Sequence, residues 1–195
     1  MTAEAQPQVA KGSTLRATLA FAASVAGDAA VERILGALPP AERALVRGAS
    51  ATDEVPFAVW RALSDATDAA IGGACPDWPE RAGAWAIEST GVQLYGGILR
   101  KSTPIEFLTQ SVSLFRLYYQ PGDMKVVEHE AIGERGGRGV LRLVGFEHDS
   151  RVFCRRQTGG LARAVAVAGG ERPRVRHVRC ALEGDAFCEW ELRWE

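Results

Sequence analysis

The segment RVRHVRCALEGDAFCEWELRW, residues 174–194, alternates apolar and polar side chains on either side of a loop centred on Gly184. This alternation is typical of two antiparallel strands with one buried face. A three-residue turn at 183–185 would place Cys180 directly opposite Cys188, with their β-carbons about 4.5–5.5 Å apart. The segment therefore predicts a C-terminal β-hairpin that brings two cysteines together on one face.

The residues before this hairpin predict a second pair of strands and a helix. Apolar residues from Met124 onward begin one strand, residues 140–146 form the next, and glycines near 134–137 mark the turn between them. A helical pattern then runs from about residue 150 to residue 168, where a pair of glycines ends it. The C-terminal part is therefore expected to have the order β-β-α-β-β.

Upstream of these strands, apolar residues recur at helical spacing. Two long helices are expected, at residues 80–100 and 104–119. Helices that precede an antiparallel sheet indicate the α+β class, with the N-terminal helices packed on the sheet. The predicted organisation is a flexible tail at 1–11 and a single domain at 12–195, with a helical part at 12–120 and the ββαββ part at 121–195.

The composition excludes several classes of protein. The 195 residues carry 23 basic and 24 acidic side chains, a formal net charge of −1, and 47% are hydrophobic. This is the balance of a folded globular domain, and it argues against a nucleic-acid coat or a polybasic membrane anchor. There is no run of about 20 apolar residues, as a membrane span requires, and no signal-peptide pattern. We therefore expect a cytoplasmic protein with reduced cysteines.

Four residues of the ββαββ part have the chemistry of a metal site. Cys154 heads an inward-facing stripe of the predicted helix, and His177 precedes Cys180 by three residues. With Cys188 they supply three sulfurs and one imidazole, a complete tetrahedral set typical of a structural zinc site. Residues three apart on a strand face opposite ways, so a bulge or an early end to pairing is needed to bring His177 to this set. Plain core packing and a Cys180–Cys188 disulfide are the alternatives.

The C-terminal half resembles the 4-vinyl reductase domain, a ligand-sensing domain also found in aromatic-responsive bacterial transcription activators. The resemblance rests on Cys154, the interval to His177, and Cys180 and Cys188 around a Gly-Asp turn. It implies a structural zinc ion, bound by the three cysteines beside a hydrophobic effector pocket. His177 stands where those sensors have a glutamate and is expected to be the fourth ligand. Because relatives of this fold tend to dimerise, the resemblance also implies a homodimer.

The whole chain resembles a group of myxobacterial paralogous proteins of unknown function. Three stretches carry this second resemblance: Lys-Gly-Ser at 11–13, Leu-Gly-Ala-Leu-Pro-Pro at 35–40, and Cys-Glu-Trp-Glu-Leu-Arg-Trp at 188–194. It implies a stand-alone domain without an attached ATPase or DNA-binding module, and it supplies no activity.

Aromatic residues on the predicted helices are the candidates for a ligand pocket. A pocket between helices and sheet would be lined by such side chains, which would equally suit a solid core. The candidates are Trp60, Trp85, Tyr95, Phe107, Phe115 and Tyr118.

These observations favour a zinc-stabilised sensory or binding domain for a small hydrophobic ligand, acting in signalling with a protein partner. A dimeric scaffold without a ligand is the first alternative. An enzyme of tetrapyrrole-type metabolism, suggested by the name of the resembled family, is less favoured, because the expected metal site is filled and the sequence offers no acid–base pair. Motifs typical of hydrolases, zinc proteases and phosphate-binding loops do not occur either. No catalytic residue is predicted.

Overall fold

The computed structural model of this chain describes the backbone of residues 7–101, 103–110 and 112–195, and all side chains in these ranges except those at positions 98, 110, 112 and 113. Within them the helices are α1 (Gly12–Ala26), α2 (Asp28–Ala37), α3 (Pro40–Gly48), α4 (Phe57–Thr67), α5 (Trp78–Trp85), α6 (Val92–Leu99), α7 (Pro104–Gln110), α8 (Val112–Arg116) and α9 (Arg151–Val167). The strands are β1 (Val9–Lys11), β2 (Glu54–Pro56), β3 (Tyr119–Gln120), β4 (Asp123–Ile132), β5 (Gly136–Val144), β6 (Arg174–Arg179) and β7 (Glu189–Trp194).

The larger sheet has the strand order β4-β5-β7-β6 and is antiparallel throughout. Alternate residues of β5 and β7, such as Leu141 and Trp190, are fully buried, because one face of the sheet is covered by helices. Helix α9 connects β5 to β6, and the Ser150 hydroxyl caps its N-terminus by accepting a hydrogen bond from the N–H of Phe153. The prediction of an α+β fold, with N-terminal helices followed by β-β-α-β-β on an antiparallel sheet, is confirmed.

A smaller sheet was not predicted from the sequence. It has the order β2-β1-β3. Residues 9–11, which the sequence analysis placed in a flexible tail, form its central strand, and Tyr119 pairs with Ala10 in β3 instead of ending a helix. Strands of two or three residues are too short for an alternating pattern to show in the sequence.

Both long helices expected from the sequence differ from those in the structure. The helix expected at 80–100 consists of α5, a π-helical segment at Ala86–Gly91, and α6, in which Tyr95 departs from helical geometry with φ −129° and ψ 25°. Of the helix expected at 104–119, the structure describes α7 and α8, and α8 ends at Arg116, three residues earlier than expected. A π-helical turn contains more residues than an α-helical one, so the spacing of apolar residues does not reveal where it begins.

The core between α4, α9 and the sheets is aromatic. Phe57 stacks on Trp60 with 5.0 Å between ring centroids, and Phe146 stacks on Phe153 at 5.3 Å. The ring of Tyr119 packs edge-on against both stacked pairs, at 5.2–6.2 Å. Each such pair contributes about 0.5–1.5 kcal/mol beyond the burial of its area. This aromatic cluster joins the helical part to the sheet.

Helices α5 and α9 cross at glycines. A β-carbon on Gly159 would lie 1.9 Å from the carbonyl oxygen of Glu80, and one on Gly83 would lie 2.1 Å from that of Arg156. Two backbones can approach this closely only where side chains are absent. Arg155 holds the crossing from outside, because its guanidinium donates to both carboxylate oxygens of Glu80 at 2.7 Å. Helix α9 is therefore held tightly against the helical part.

In the described ranges, no helix has the length and apolar composition that crossing a membrane requires.

Candidate metal centre and apolar cavity

The C-terminal hairpin contains the bulge that the cysteine–histidine set requires. The ladder pairs His177 with Trp190 but Arg179 with Glu189, so β6 has one extra residue between the two pairs. An extra residue reverses the alternation of side chains beyond it. The structure therefore confirms the irregularity that was expected from the three-residue interval between His177 and Cys180.

The loop beyond the ladder determines where the two hairpin cysteines lie. A 3-10 turn, Ala181–Glu183, follows Cys180, and Gly184 ends it with a φ of +96°, a conformation that favours glycine. The Asp185 carboxylate accepts a hydrogen bond from the backbone N–H of Cys180 at 2.8 Å. Cys180 and Cys188 thus lie just past the last ladder pair, whereas the sequence analysis expected them to be paired within the strands.

The structure brings together the four residues predicted as metal ligands. The candidate donor atoms of Cys154, His177, Cys180 and Cys188 all lie within 4.8 Å of one another. Cys154 comes from α9 and His177 from β6, while the other two belong to the loop between β6 and β7. All three sulfur-bearing residues are buried, with exposed fractions of 7% or less. Four donors from three chain segments therefore converge in one buried cluster.

The surroundings of the cluster favour a thiolate at Cys188. Its hydrogen bond with Cys154, and then those with the imidazoles of His148 and His177, hold the pKa of the Cys188 thiol well below its usual range. The same hydrogen bond, followed by burial, raises the pKa of Cys154, and burial raises that of Cys180. Metal ligands must be deprotonated to bind, so Cys188 is the sulfur best prepared to do so.

The donor set is chemically suited to a transition metal, and its cysteines are not joined in a disulfide. The cysteines are free, and the Sγ atoms of Cys154 and Cys188 lie 3.9 Å apart, against about 2.05 Å in a disulfide. Thiolates and imidazole suit transition metals, whereas magnesium and calcium prefer oxygen ligands. The fourth cysteine, Cys75, lies apart from the cluster and accepts a hydrogen bond from Arg81 at 3.1 Å.

A small apolar cavity of about 60 Å³ lies along α9. Its walls come from α9, from the π-helical segment, from α7 and α8, and from the residues that follow them into β4. The lining residues are Ile87, Phe107, Leu114, Phe115, Tyr118, Tyr119, Met124, Gln157, Gly160, Leu161 and Ala164. The cavity is therefore enclosed mainly by hydrocarbon, with two phenols and one amide as polar groups.

Tyr118 is the polar group of the cavity that has no partner. Its hydroxyl is buried and makes no hydrogen bond within the described residues. It lies against Gly91, where a β-carbon would be only 2.8 Å from the phenol oxygen. Burial raises the pKa of Tyr118 far above its usual value, so the phenol is neutral at physiological pH. A residue of the cavity wall therefore carries a neutral hydroxyl that is able to donate a hydrogen bond.

The six aromatic residues predicted to bind a ligand are not all at the cavity. Phe107, Phe115 and Tyr118 line it. Trp60 is fully buried in the aromatic cluster, and Trp85 packs edge-on against Phe21. Tyr95 packs edge-on against the ring of Tyr118 at 5.5 Å. Trp60, Trp85 and Tyr95 are not among the lining residues.

Two parts of the sites were missed by the sequence analysis. The α9 side of the cavity consists of small and aliphatic residues and Gln157, which do not stand out in a sequence. His148, which lies in the connection between β5 and α9, places its Nε2 atom 3.3 Å from Cys188 Sγ and 3.5 Å from Cys154 Sγ. Its place six residues before Cys154, in a short connection into the same helix, was the available signal.

Comparison with known proteins gives matches of structure alone. No model of a protein family matches the chain, and no curated protein matches it in sequence. Among solved structures, the chain is similar to an Fe(II) unliganded H-NOX protein from K. algicida, with 13% identity, coverage of 95% of this chain and 96% of the other, and a TM-score of 0.67. It is also similar to an H-NOX protein from S. oneidensis in the Fe(II)NO ligation state, with 11% identity, coverage of 95% and 99%, and a TM-score of 0.68. A third similar structure, described under heme redox potential and porphyrin distortion, has 12% identity, coverage of 94% and 98%, and a TM-score of 0.63.

These comparisons correct two expectations. The resemblance to the 4-vinyl reductase domain, and with it the one to the myxobacterial proteins, is wrong as a guide to relatives, because the structures similar over the full chain are H-NOX proteins. The expectation of a structural zinc ion as cofactor is wrong on the same ground. The descriptions of these structures name heme and Fe(II), and this chain has a cysteine–histidine cluster for which no zinc is shown. Over almost its full length, this chain has the fold of the H-NOX proteins.

Proposed function

We propose that this chain is a sensory or binding domain for a small, mostly apolar molecule, held in the cavity along α9. The observation that carries the proposal is the hydroxyl of Tyr118, which is buried without a hydrogen-bond partner in a residue that lines the cavity. A buried polar group left unpaired costs about 1–3 kcal/mol. A ligand with one hydrogen-bond acceptor would remove that cost, and the fold is one in which a similar protein is described with bound NO.

The size of the cavity limits the ligand. A cavity of about 150 Å³ holds benzene or xenon, and one water needs about 10–15 Å³. The cavity of about 60 Å³ therefore suits a molecule of only a few non-hydrogen atoms. The walls favour an apolar body, and Tyr118 favours one acceptor atom on it.

Acetone and xenon are matched probes for this proposal, because acetone carries an acceptor oxygen and xenon does not. We expect both to bind, with saturable NMR shifts at the methyl groups of Ile87, Leu114 and Met124, which line the cavity. Tyr118→Phe removes the hydrogen-bond donor, and one hydrogen bond contributes about 1 kcal/mol. The variant should therefore bind acetone at least about fivefold more weakly, while its affinity for xenon should be unchanged.

Tyr95→Phe is the control for this experiment, because Tyr95 packs on Tyr118 without lining the cavity. It should leave both affinities unchanged. Tyr118→Phe should also stabilise the unliganded protein by about 1 kcal/mol, because it removes an unpaired buried hydroxyl. If neither probe shifts the methyl signals, the cavity is solid core, and the scaffold without a ligand becomes the better account.

Heme, which the fold neighbours suggest, does not fit the cavity along α9. Sites for drug-sized ligands have volumes of roughly 300–1,000 Å³, and a porphyrin needs no less, whereas the cavity along α9 has about 60 Å³. The chain has three histidines: His148 and His177 face the cysteine cluster, and His129 lies exposed on β4. No histidine is therefore available beside the helical cavity to bind heme iron.

We accordingly expect no stoichiometric heme complex in this cavity. Titration of the purified protein with hemin, oxidised and reduced, should give only the absorption of free or loosely adsorbed heme. A sharp, saturable Soret band at one heme per chain would contradict this expectation. The triple variant His129→Ala/His148→Ala/His177→Ala would then identify whether a histidine is the ligand.

We further propose that Cys154, His177, Cys180 and Cys188 bind one transition-metal ion. The support is the convergence of their donor atoms within 4.8 Å in a buried cluster. Such a site would tie α9 to the C-terminal hairpin and would not itself react, since all four positions are filled by the protein. Elemental analysis of protein purified under reducing conditions, covering the first-row transition metals, measures the stoichiometry and identifies the ion.

The homodimer and the signalling partner stay predictions. Native mass spectrometry of the untagged protein reports the oligomer, the metal and any retained small molecule together. A ligand mass on a metal-bearing chain would support the sensor.

A further inference from the structure

The cysteine cluster has a fifth donor that the sequence pattern did not include. His148 lies in the connection between β5 and α9, and its Nε2 atom is 3.3 Å from Cys188 Sγ and 3.5 Å from Cys154 Sγ. Its ring packs on Phe153 with 4.6 Å between centroids, which fixes its orientation. Two of the chain's three histidines thus face the same sulfur atoms.

The distances around His148 are those of a tetrahedral metal site. Metal–sulfur bonds of about 2.3 Å and metal–nitrogen bonds of about 2.0–2.1 Å, at tetrahedral angles, place two sulfurs about 3.8 Å apart and a sulfur and a nitrogen about 3.6 Å apart. The observed separations are 3.9 Å between Cys154 and Cys188 and 3.3–3.5 Å from each sulfur to His148. These three atoms match one triangular face of such a site.

The surroundings of the two histidines do not favour one over the other. A ligating imidazole normally donates its second N–H to a neighbouring acceptor. Within the described residues, neither His148 Nδ1 nor His177 Nε2 has a hydrogen-bond partner, and both atoms are buried. Each ring is held instead by an aromatic neighbour, Phe153 for His148 and Trp190 for His177. A tetrahedral ion bound by three cysteines needs only one of the two.

We propose that His148 is a ligand of the metal site and competes with His177 for its fourth position. The inference rests on the metal site proposed above. The ion would then have two protein configurations, in which the three cysteine sulfurs are joined either by the imidazole of His177 from β6 or by that of His148 from the β5–α9 connection. The imidazole that is not bound stays within reach of the sulfurs as a hydrogen-bond donor.

Cobalt(II) is the probe, titrated anaerobically into reduced, metal-free protein. Its thiolate charge-transfer band reports the cysteines, and its ligand-field bands report the tetrahedral geometry. We expect His148→Ala and His177→Ala each to bind one cobalt ion, tetrahedrally, within about tenfold of the wild-type affinity. The double variant His148→Ala/His177→Ala should bind cobalt more than about a hundredfold more weakly than the wild type. His129→Ala, which changes the exposed histidine of β4, is the control and should match the wild type.

Rescue separates the loss of a ligand from a failure to fold. A groove of about 760 Å³ is lined by both His148 and Cys188, so free imidazole can reach the vacated position. It should restore the tetrahedral bands to the double variant, whose fold is checked by circular dichroism. The inference is overturned if His177→Ala alone loses as much affinity as the double variant while His148→Ala equals the wild type. If the wild type itself binds no cobalt, the metal site fails and the inference fails with it, whereas the ligand cavity is unaffected.

Discussion

Replacing Gly159 by alanine is expected to destabilise the protein by about 3 kcal/mol. The added methyl group would lie 1.9 Å from the carbonyl oxygen of Glu80, so α5 and α9 must separate, and overpacking of this kind costs about 1–3 kcal/mol and occasionally more. Separation would also strain the Arg155–Glu80 ion pair that spans the crossing. For a chain of this length the melting temperature should fall by roughly 6–12 °C.

Gly160→Ala is the matched control, one position further along the same helix. A β-carbon there would meet its nearest atom, the carbonyl oxygen of Gly83, at 3.6 Å, an ordinary contact. Alanine also favours a helix interior by about 0.5–1 kcal/mol over glycine, so this variant should be at least as stable as the wild type. Equal melting temperatures for the two variants would show that the helices do not approach as closely as described.

Replacing Cys188 by serine should abolish metal binding and with it a large part of the stability. Cys188 is the sulfur with the lowered pKa, and it contacts both Cys154 and His148. A free metal concentration of a hundred times the dissociation constant stabilises the fold by about 2.7 kcal/mol, and the variant should lack this stabilisation. Thermal unfolding with and without a chelator measures it: the wild type should lose stability on chelation, and Cys188→Ser should not respond.

Cys75→Ser is the control, since Cys75 is also buried but lies apart from the cluster. It should respond to the chelator as the wild type does. A wild-type melting temperature that does not change on complete metal removal would exclude a stabilising role for the site.

The parts of the fold with regular periodicity could be predicted from the sequence. Alternation in 174–194 indicated the hairpin, and apolar spacing that ends at a pair of glycines indicated α9. The small sheet could not be predicted, because β1, β2 and β3 are two or three residues long and come from distant parts of the chain. The π-helical segment at Ala86–Gly91 could not be predicted, because the spacing of its apolar residues cannot be distinguished from the spacing in the flanking helices.

The two candidate sites differ in how far the sequence could predict them. Cysteines and histidines are rare, so the spacing of Cys154, His177, Cys180 and Cys188 was enough to predict their convergence. His148 was missed, because a short connection has no periodicity from which to infer an orientation. The cavity was predicted only in part, since its volume depends on how several elements pack and not on any one motif.

Helix α9 belongs to both candidate sites at once. It carries Cys154 in its first turn, Gln157 and Gly160 beside the cavity in the turns that follow, and Gly159 at the crossing with α5. One continuous helix therefore joins the two candidate sites. If occupancy of one site changes the affinity of the other, reciprocity requires that metal alter ligand affinity by the same factor as ligand alters metal affinity.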